Sequence, residues 1–84
     1  MISPELKAVL LKALGLDDYP FTSSTLATDV VGWDSLKHIE IIGRVEAAFG
    51  VRFRAYEVVN LPDVGALQRL VDGKLAAKNG RAAG

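Results

Sequence analysis

Apolar residues recur at helical spacing in three stretches of this chain and lose that spacing between them. In the first, Leu6, Val9, Leu10 and Ala13 fall at i, i+3, i+4 and i+7, the one-sided stripe of an amphipathic helix. Ser3 can cap it, Pro4 suits its first position, Glu5 suits the positive end of its dipole, and Gly15 followed by Leu16 suits a left-handed stop. In the second, Asp34 stands where a carboxylate can accept first-turn N–H groups, and an apolar run then leads to Phe49-Gly50. At about 100° per residue, Ile39, Ile42, Val45 and Phe49 share one arc, with Ile41 and Ala48 on its flank. That arc is expected to face a core. Leu36 falls on the opposite side, among Lys37, Glu40, Gly43, Arg44 and Ala47. The third stretch opens at Asp63 and carries Val64, Leu67, Leu70 or Val71, and Leu75. Gly65 and Gly73 each weaken it by about 1 kcal/mol relative to alanine.

The intervening segments have no such period. From Asp17 to about Trp33 the chain is interrupted by Pro20, Ser23, Ser24 and Gly32, a long loop for a compact domain. Tyr19, Phe21, Leu26, Val30 and Val31 are its candidate anchors, and Ser23 and Ser24 read as solvated turn residues. Val51 to Arg54 reads as an extended connection that buries Val51 and Phe53. Ala55 to Asn60 allows one or two helical turns before Leu61-Pro62, too short to persist without tertiary contacts. From Ala76 onward Lys78, Asn79, Gly80, Arg81 and Gly84 read as a frayed polar tail. Three longer helices, one short helix and a long first loop make an all-α bundle.

Bulk properties narrow the function. The 84 residues suffice for one domain, half of them apolar, which allows a modest core. Cysteine is absent, so any thiol chemistry must come from an added group. No run approaches membrane-span length and the N-terminus lacks a secretory pattern, so a cytoplasmic protein without a membrane role is the expectation. Ten basic and ten acidic residues balance, which argues against nucleic acid as partner. Arg52, Arg54, Arg44 and Lys37 are accordingly read as solvated, with Lys37 and Arg44 able to meet acidic groups on a partner.

The candidate chemistry gathers at Gly32-Trp33-Asp34-Ser35-Leu36. Ser35 takes the first helical position after the Asp34 cap, where a phosphate on its hydroxyl would meet free N–H groups and the positive end of the dipole. For an arbitrary Asp-Ser pair, a plain capping-region serine is the commoner case. His38, the only histidine, lies three residues on, and Asp34, His38 and Ser35 invite comparison with a hydrolytic triad. That comparison fails because a small helical chain offers no clear oxyanion hole. A histidine packed under the long loop, or one orienting a phosphate, are the readings left for His38, and a metal site is not among them.

This stretch, with the Phe49-Gly50-Val51-Arg52-Phe53 exit that follows it, resembles the acyl carrier and peptidyl carrier protein family. The family signature is a Gly-x-Asp-Ser-Leu turn opening the second helix of a small bundle. Gly32, Asp34, Ser35 and Leu36 match it, and Glu40 occupies a place usually acidic. The resemblance implies a four-helix carrier bundle with a long first loop and a short third helix. It further implies a carrier domain over residues 1–76, a polar flexible tail over 77–84, and 4′-phosphopantetheine from coenzyme A esterified to Ser35. On that reading the chain is a monomer and no enzyme. It tethers acyl or aminoacyl intermediates as thioesters and meets a phosphopantetheinyl transferase, an activating enzyme and downstream synthases or transferases.

Leu36, Lys37, Glu40, Gly43 and Arg44 are the implied partner surface, with Gly43 a notch where relatives often carry a bulkier residue. Ile39, Ile42, Val58, Val59, Leu61 and Val64 are candidates to line a cargo pocket, and the short third helix is the element expected to move when cargo enters. The balanced charge departs from the acidic carriers of fatty acid synthesis and favours a specialised fatty acid, polyketide or nonribosomal peptide pathway. Met1 and the polar tail suit a free-standing chain, although an excised synthase domain fits as well. The alternative from another class is a helical interaction module that is never modified.

Overall fold

The computed structural model describes residues 2–83, with side chains as far as Lys78. Among them lie four α-helices, α1 (Pro4–Leu14), α2 (Ser35–Phe49), α3 (Ala55–Val58) and α4 (Val64–Ala83), and a single 3-10 turn at Ala27–Asp29. The expected all-α architecture with a long first loop and a short third helix is the one observed.

The first helix starts and stops as its sequence signals direct. Ser3 Oγ accepts the Leu6 N–H at 3.2 Å. At the other end Gly15 turns left-handed at φ 70°, and the Leu16 N–H reaches back to the Leu11 carbonyl at 2.9 Å. This pairing closes orphan carbonyls of the last turn. Leu6, Leu10 and Ala13 then meet Ile41, Ile42 and Val45 of α2 and Val64, Leu67 and Val71 of α4 in one buried cluster. Burial of this apolar surface, at about 25 cal/mol per Å², is the main force joining the three longer helices.

The α2 stripe is rotated from its expected position. Ile41 is fully buried, whereas Ile39, expected in the core arc, is 69% exposed. His38, Ile41, Ile42, Val45 and Phe49 form the inward sequence, at i, i+3, i+4, i+7 and i+11. Counting the polar His38 as inward moves the centre of the stripe away from Ile39.

Loop anchoring also differs in part. Val30 is buried and Phe21 packs against the core, its ring 4.7 Å from that of Tyr19. Val31 is 89% exposed and Leu26 is exposed as well, so neither is an anchor. Backbone bonds hold the loop instead: the Val64 N–H donates to the Thr25 carbonyl at 2.8 Å and the Gly65 N–H to the Ser23 carbonyl at 3.0 Å. Ser23 is thus a docking point, not a solvated turn residue. Gly65 is required by this approach, because a Cβ there would lie 2.6 Å from the Ser23 carbonyl oxygen.

The rest of the chain closes around α2. Gly50 is left-handed at φ 64°, and Glu46 fixes the exit by accepting the Phe53 N–H at 2.8 Å. Val51 is buried and Phe53 packs on the core, as expected. In α3, Glu57 Oε1 accepts the Arg54 N–H at 2.7 Å and pairs with Lys74 Nζ of α4 at 2.8 Å. The one buried polar side chain among the described residues, Gln68, accepts the Ser3 N–H at 2.8 Å and donates to Asp72 at 2.9 Å, tying the N-terminus to α4.

Asp63 caps α4 through the Ala66 N–H at 2.8 Å. Where a frayed tail was expected from Ala76, the backbone stays helical to Ala83. Ala76, Ala77, Ala82 and Ala83 have high helix propensity, and Lys78 Nζ reaches the Gly50 carbonyl at 3.0 Å. Gly84 lies outside the described residues.

Candidate functional site at the start of α2

The loop delivers the chain to α2 through a turn that needs glycine. Gly32 sits at φ 90°, a conformation that strains residues bearing a Cβ, and the Trp33 N–H closes onto the Val30 carbonyl at 3.1 Å. Asp34 is extended, and its Oδ1 accepts the Lys37 N–H at 2.8 Å while its carbonyl accepts the His38 N–H at 2.8 Å. Ser35 follows as the first helical residue. It is exposed, and among the described residues its hydroxyl makes no hydrogen bond. An unengaged hydroxyl at a capped helix start can be reached by another enzyme's active site. A phosphate attached there would be favoured by the helix dipole and the remaining first-turn N–H groups.

The neighbouring charges are already paired. Lys37 Nζ lies 3.2 Å from Glu40 Oε1, and Arg44 Nε lies 3.0 Å from Glu40 Oε2. The hydrogen bond from Lys37, then that from Arg44, hold the Glu40 carboxyl below its ordinary range. Of the five residues expected on the partner surface, the three charged ones therefore form one ladder along α2, in which Glu40 engages both cations. Leu36 is 79% exposed, as expected. Gly43 is exposed with open space around its Cα. It borders a shallow groove of about 440 Å³ shared with Glu46, Ala47, Gly50, Val51 and Arg52, which runs toward the far end of α2 and not beside Leu36.

Sequence reading missed three further exposed apolar side chains near this end, Ile39, Tyr56 and Val59. Val58 packs against the core and faces opposite demands from its neighbour, so Val59 and Tyr56, three apart on a single turn, are left outside.

His38 is packed, and both ring nitrogens are engaged. Trp33 Nε1–H donates to Nδ1 at 3.1 Å, and Nε2 lies 2.8 Å from the Val58 carbonyl of α3. Its ring lies 6.1 Å from the indole, stacked at 29°. With its nitrogens occupied the histidine is neither a base for Ser35 nor free to meet a phosphate, and the Asp34 carboxylate is spent on the cap. The triad comparison fails on geometry as well.

Beneath His38 lies a cavity of about 10 Å³ lined by Ala27, Trp33, His38, Leu61, Asp63, Val64 and Leu67. Leu61 and Val64 belong to the expected cargo-pocket set. Ile42 and Val58 pack on the core without lining this cavity, and Ile39 and Val59 point to solvent. Larger grooves, such as one of about 340 Å³ between Val9, Lys12, Arg44, Ala47 and Ala48, lie away from Ser35 and bear on no chemistry. Among the described residues no cluster of His, Asp or Glu could hold a metal ion, and no helix is long and apolar enough to cross a membrane.

A family model and a solved structure place this geometry among known proteins. A model of the phosphopantetheine attachment site matches residues 4–71. No curated protein matches the sequence significantly. Among solved structures, the chain is similar to the solution NMR structure of a holo acyl carrier protein from Geobacter metallireducens. The two share 33% identity with a TM-score of 0.83, and the match covers 93% of each chain. The cofactor of this family is 4′-phosphopantetheine, and its members are carriers that meet phosphopantetheinyl transferases and acyl-handling enzymes without catalysing bond chemistry themselves. With the signature turn, the capped helix start and the four-helix architecture all in place, this chain belongs to the phosphopantetheine-binding carrier family, and its domain resembles acyl carrier protein.

Proposed function

We propose that Ser35 is the attachment point and that the chain carries acyl or related intermediates between enzymes of a specialised fatty acid, polyketide or nonribosomal peptide pathway in the cytoplasm. The observation that carries this reading is the exposed, unengaged Ser35 hydroxyl at the first position of α2, directly after the Asp34 cap. In the modification step the Ser35 Oγ loses its proton within the transferase and bonds the β-phosphorus of coenzyme A, and adenosine 3′,5′-bisphosphate leaves. When bound, the arm supplies a terminal thiol for thioester linkage. Asp34 holds Ser35 at the helix start by accepting the Lys37 N–H, the positive end of the helix dipole would favour the negative charge of a phosphodiester there, and the folded bundle presents the site to one partner after another. Tethering raises the effective concentration of cargo at each partner, to about millimolar for short flexible linkers.

Partner choice supports a specialised pathway. Carriers of fatty acid synthesis commonly present a negative second helix, whereas here Glu40 is held between Lys37 and Arg44, with exposed Leu36 and Ile39 on the same helix. A transferase, an acyl- or aminoacyl-activating enzyme and a downstream synthase or transferase are the expected partners of a monomeric carrier. The test is intact mass before and after incubation with coenzyme A, magnesium and a broad-specificity phosphopantetheinyl transferase, beside Ser35→Ala. One added phosphopantetheine on the parent alone is expected. No gain on a folded apo sample would favour an unmodified interaction module.

A further inference from the structure

The relay through His38 has a definite hydrogen-bonding sense. Trp33 Nε1 can only donate, so His38 Nδ1 must accept, and the ring proton therefore resides on Nε2. The Val58 carbonyl can only accept, and at 2.8 Å it receives that proton. One neutral imidazole thereby joins the end of the long loop, the first turns of α2 and the last residue of α3. Trp33 and His38 also form one wall of the cavity beneath, whose other walls come from Ala27, Leu61, Asp63, Val64 and Leu67. At about 10 Å³ this space is at the lower limit for a single water, about 10–15 Å³. An alkyl chain several carbons long has no room in it. Trp33 and His38 are themselves lining residues, so widening the cavity on their side moves one away from the other and breaks the bond between them, while the Val58 carbonyl holds the ring from its far nitrogen.

We propose that His38 is a positioning residue that clamps Trp33 and α3 to the start of α2, keeps this cavity closed, and so holds cargo attached at Ser35 outside the bundle. The substrate class that suits this arrangement is short or polar acyl groups, which need no apolar shelter, and long alkyl chains are disfavoured. The proposal rests on the attachment reading for its cargo but not for its geometry. Loss of the clamp leaves the Trp33 N–H and Val58 carbonyl without their partner, and α3 is held thereafter chiefly by the Glu57–Lys74 pair and the packing of Val58.

The experiment is NMR on the whole chain, before and after loading Ser35 with a hydrolysis-resistant octanoyl amide analogue of the arm, for the parent, His38→Val and His38→Gln. Before loading, nitrogen shifts of His38 should report the Nε2–H tautomer, and the Trp33 indole proton should exchange slowly with solvent. After loading, the methyl signals of Leu61, Val64 and Leu67 should stay where they are in the parent. They should move in His38→Val, and stay again in His38→Gln, whose amide can both accept from Trp33 and donate to Val58. Should His38→Val lose a dispersed spectrum, Trp33→Phe takes its place, since it removes one bond of the clamp and keeps the histidine.

An Nδ1–H tautomer, parent methyls that move with the octanoyl group, or a clamp-deficient variant that responds as the parent does would each overturn the proposal. Intact mass on the same samples separates this outcome from the attachment reading. A chain that accepts no arm fails that reading, while the tautomer and indole exchange, measured before loading, still judge the clamp.

Discussion

The two halves of α2 are held by different physics. From Ile41 onward the helix is fixed by Ile41, Ile42 and Val45, buried against α1 and α4. Its N-terminal half is held by directional bonds: Asp34 to the Lys37 N–H, Trp33 to His38, and His38 to Val58. Burial is broad and cumulative, whereas each polar bond contributes only about 0.5–1.5 kcal/mol net. The division leaves the folding of the bundle to the core and the geometry of the Ser35 end to a few specific bonds, so single substitutions can test the two separately.

The sharpest way to break the contrast is in the core. Ile41→Ala should cost about 2–5 kcal/mol, read by urea denaturation. The α4 glycines come next and should differ in sign. Gly65→Ala forces a Cβ against the Ser23 carbonyl and should destabilise by about 1–3 kcal/mol, loosening the loop. Gly73→Ala, where a Cβ meets nothing within 4 Å, should stabilise by up to about 1 kcal/mol. Thermal melts of the pair decide this, and equal signs would remove the special role of Gly65.

At the Ser35 end, Asp34→Ala should cost about 1 kcal/mol through the lost cap and slow attachment more than it lowers stability, measured as the rate of mass gain. The smallest effect is one of pH. The Arg54 N–H, then Lys74, hold the Glu57 carboxyl below its ordinary range in the folded chain. A carboxyl lowered on folding stabilises above its unfolded value and loses that contribution as pH falls through the folded one. The protection factors of α3 amides, exchange relative to the intrinsic rate at each pH, should therefore fall on acidification before those of the α1–α2–α4 core do, and Glu57→Gln should remove the difference.

Local signals made the helix boundaries legible in advance. Ser3, Pro4 and Gly15 bracket α1, Asp34 and Gly50 bracket α2, and Asp63 opens α4, because caps act over three or four residues. The signature around Ser35 was legible for the same reason. Long-range pairings were not. Nothing near Gly65 in the chain announces that Ser23 will lie against it, and nothing near Ser3 announces Gln68. Ile39 was misplaced because a hydrophobic pattern counts isoleucine inward and histidine outward, and only the partners of His38, at Trp33 and Val58, reverse that choice. The helical course to Ala83 was hidden by glycine, asparagine and charge in the same segment as its alanines.

The central claim is that the arm is attached at Ser35, and the most direct measurement is fragmentation mass spectrometry of the protein after treatment with coenzyme A and a phosphopantetheinyl transferase. The account expects the added mass on the fragment carrying Asp34-Ser35-Leu36 and on no fragment carrying Ser3, Ser23 or Ser24. Modification of one of those serines instead, or an unmodified Ser35 in a protein shown to be folded, would contradict it.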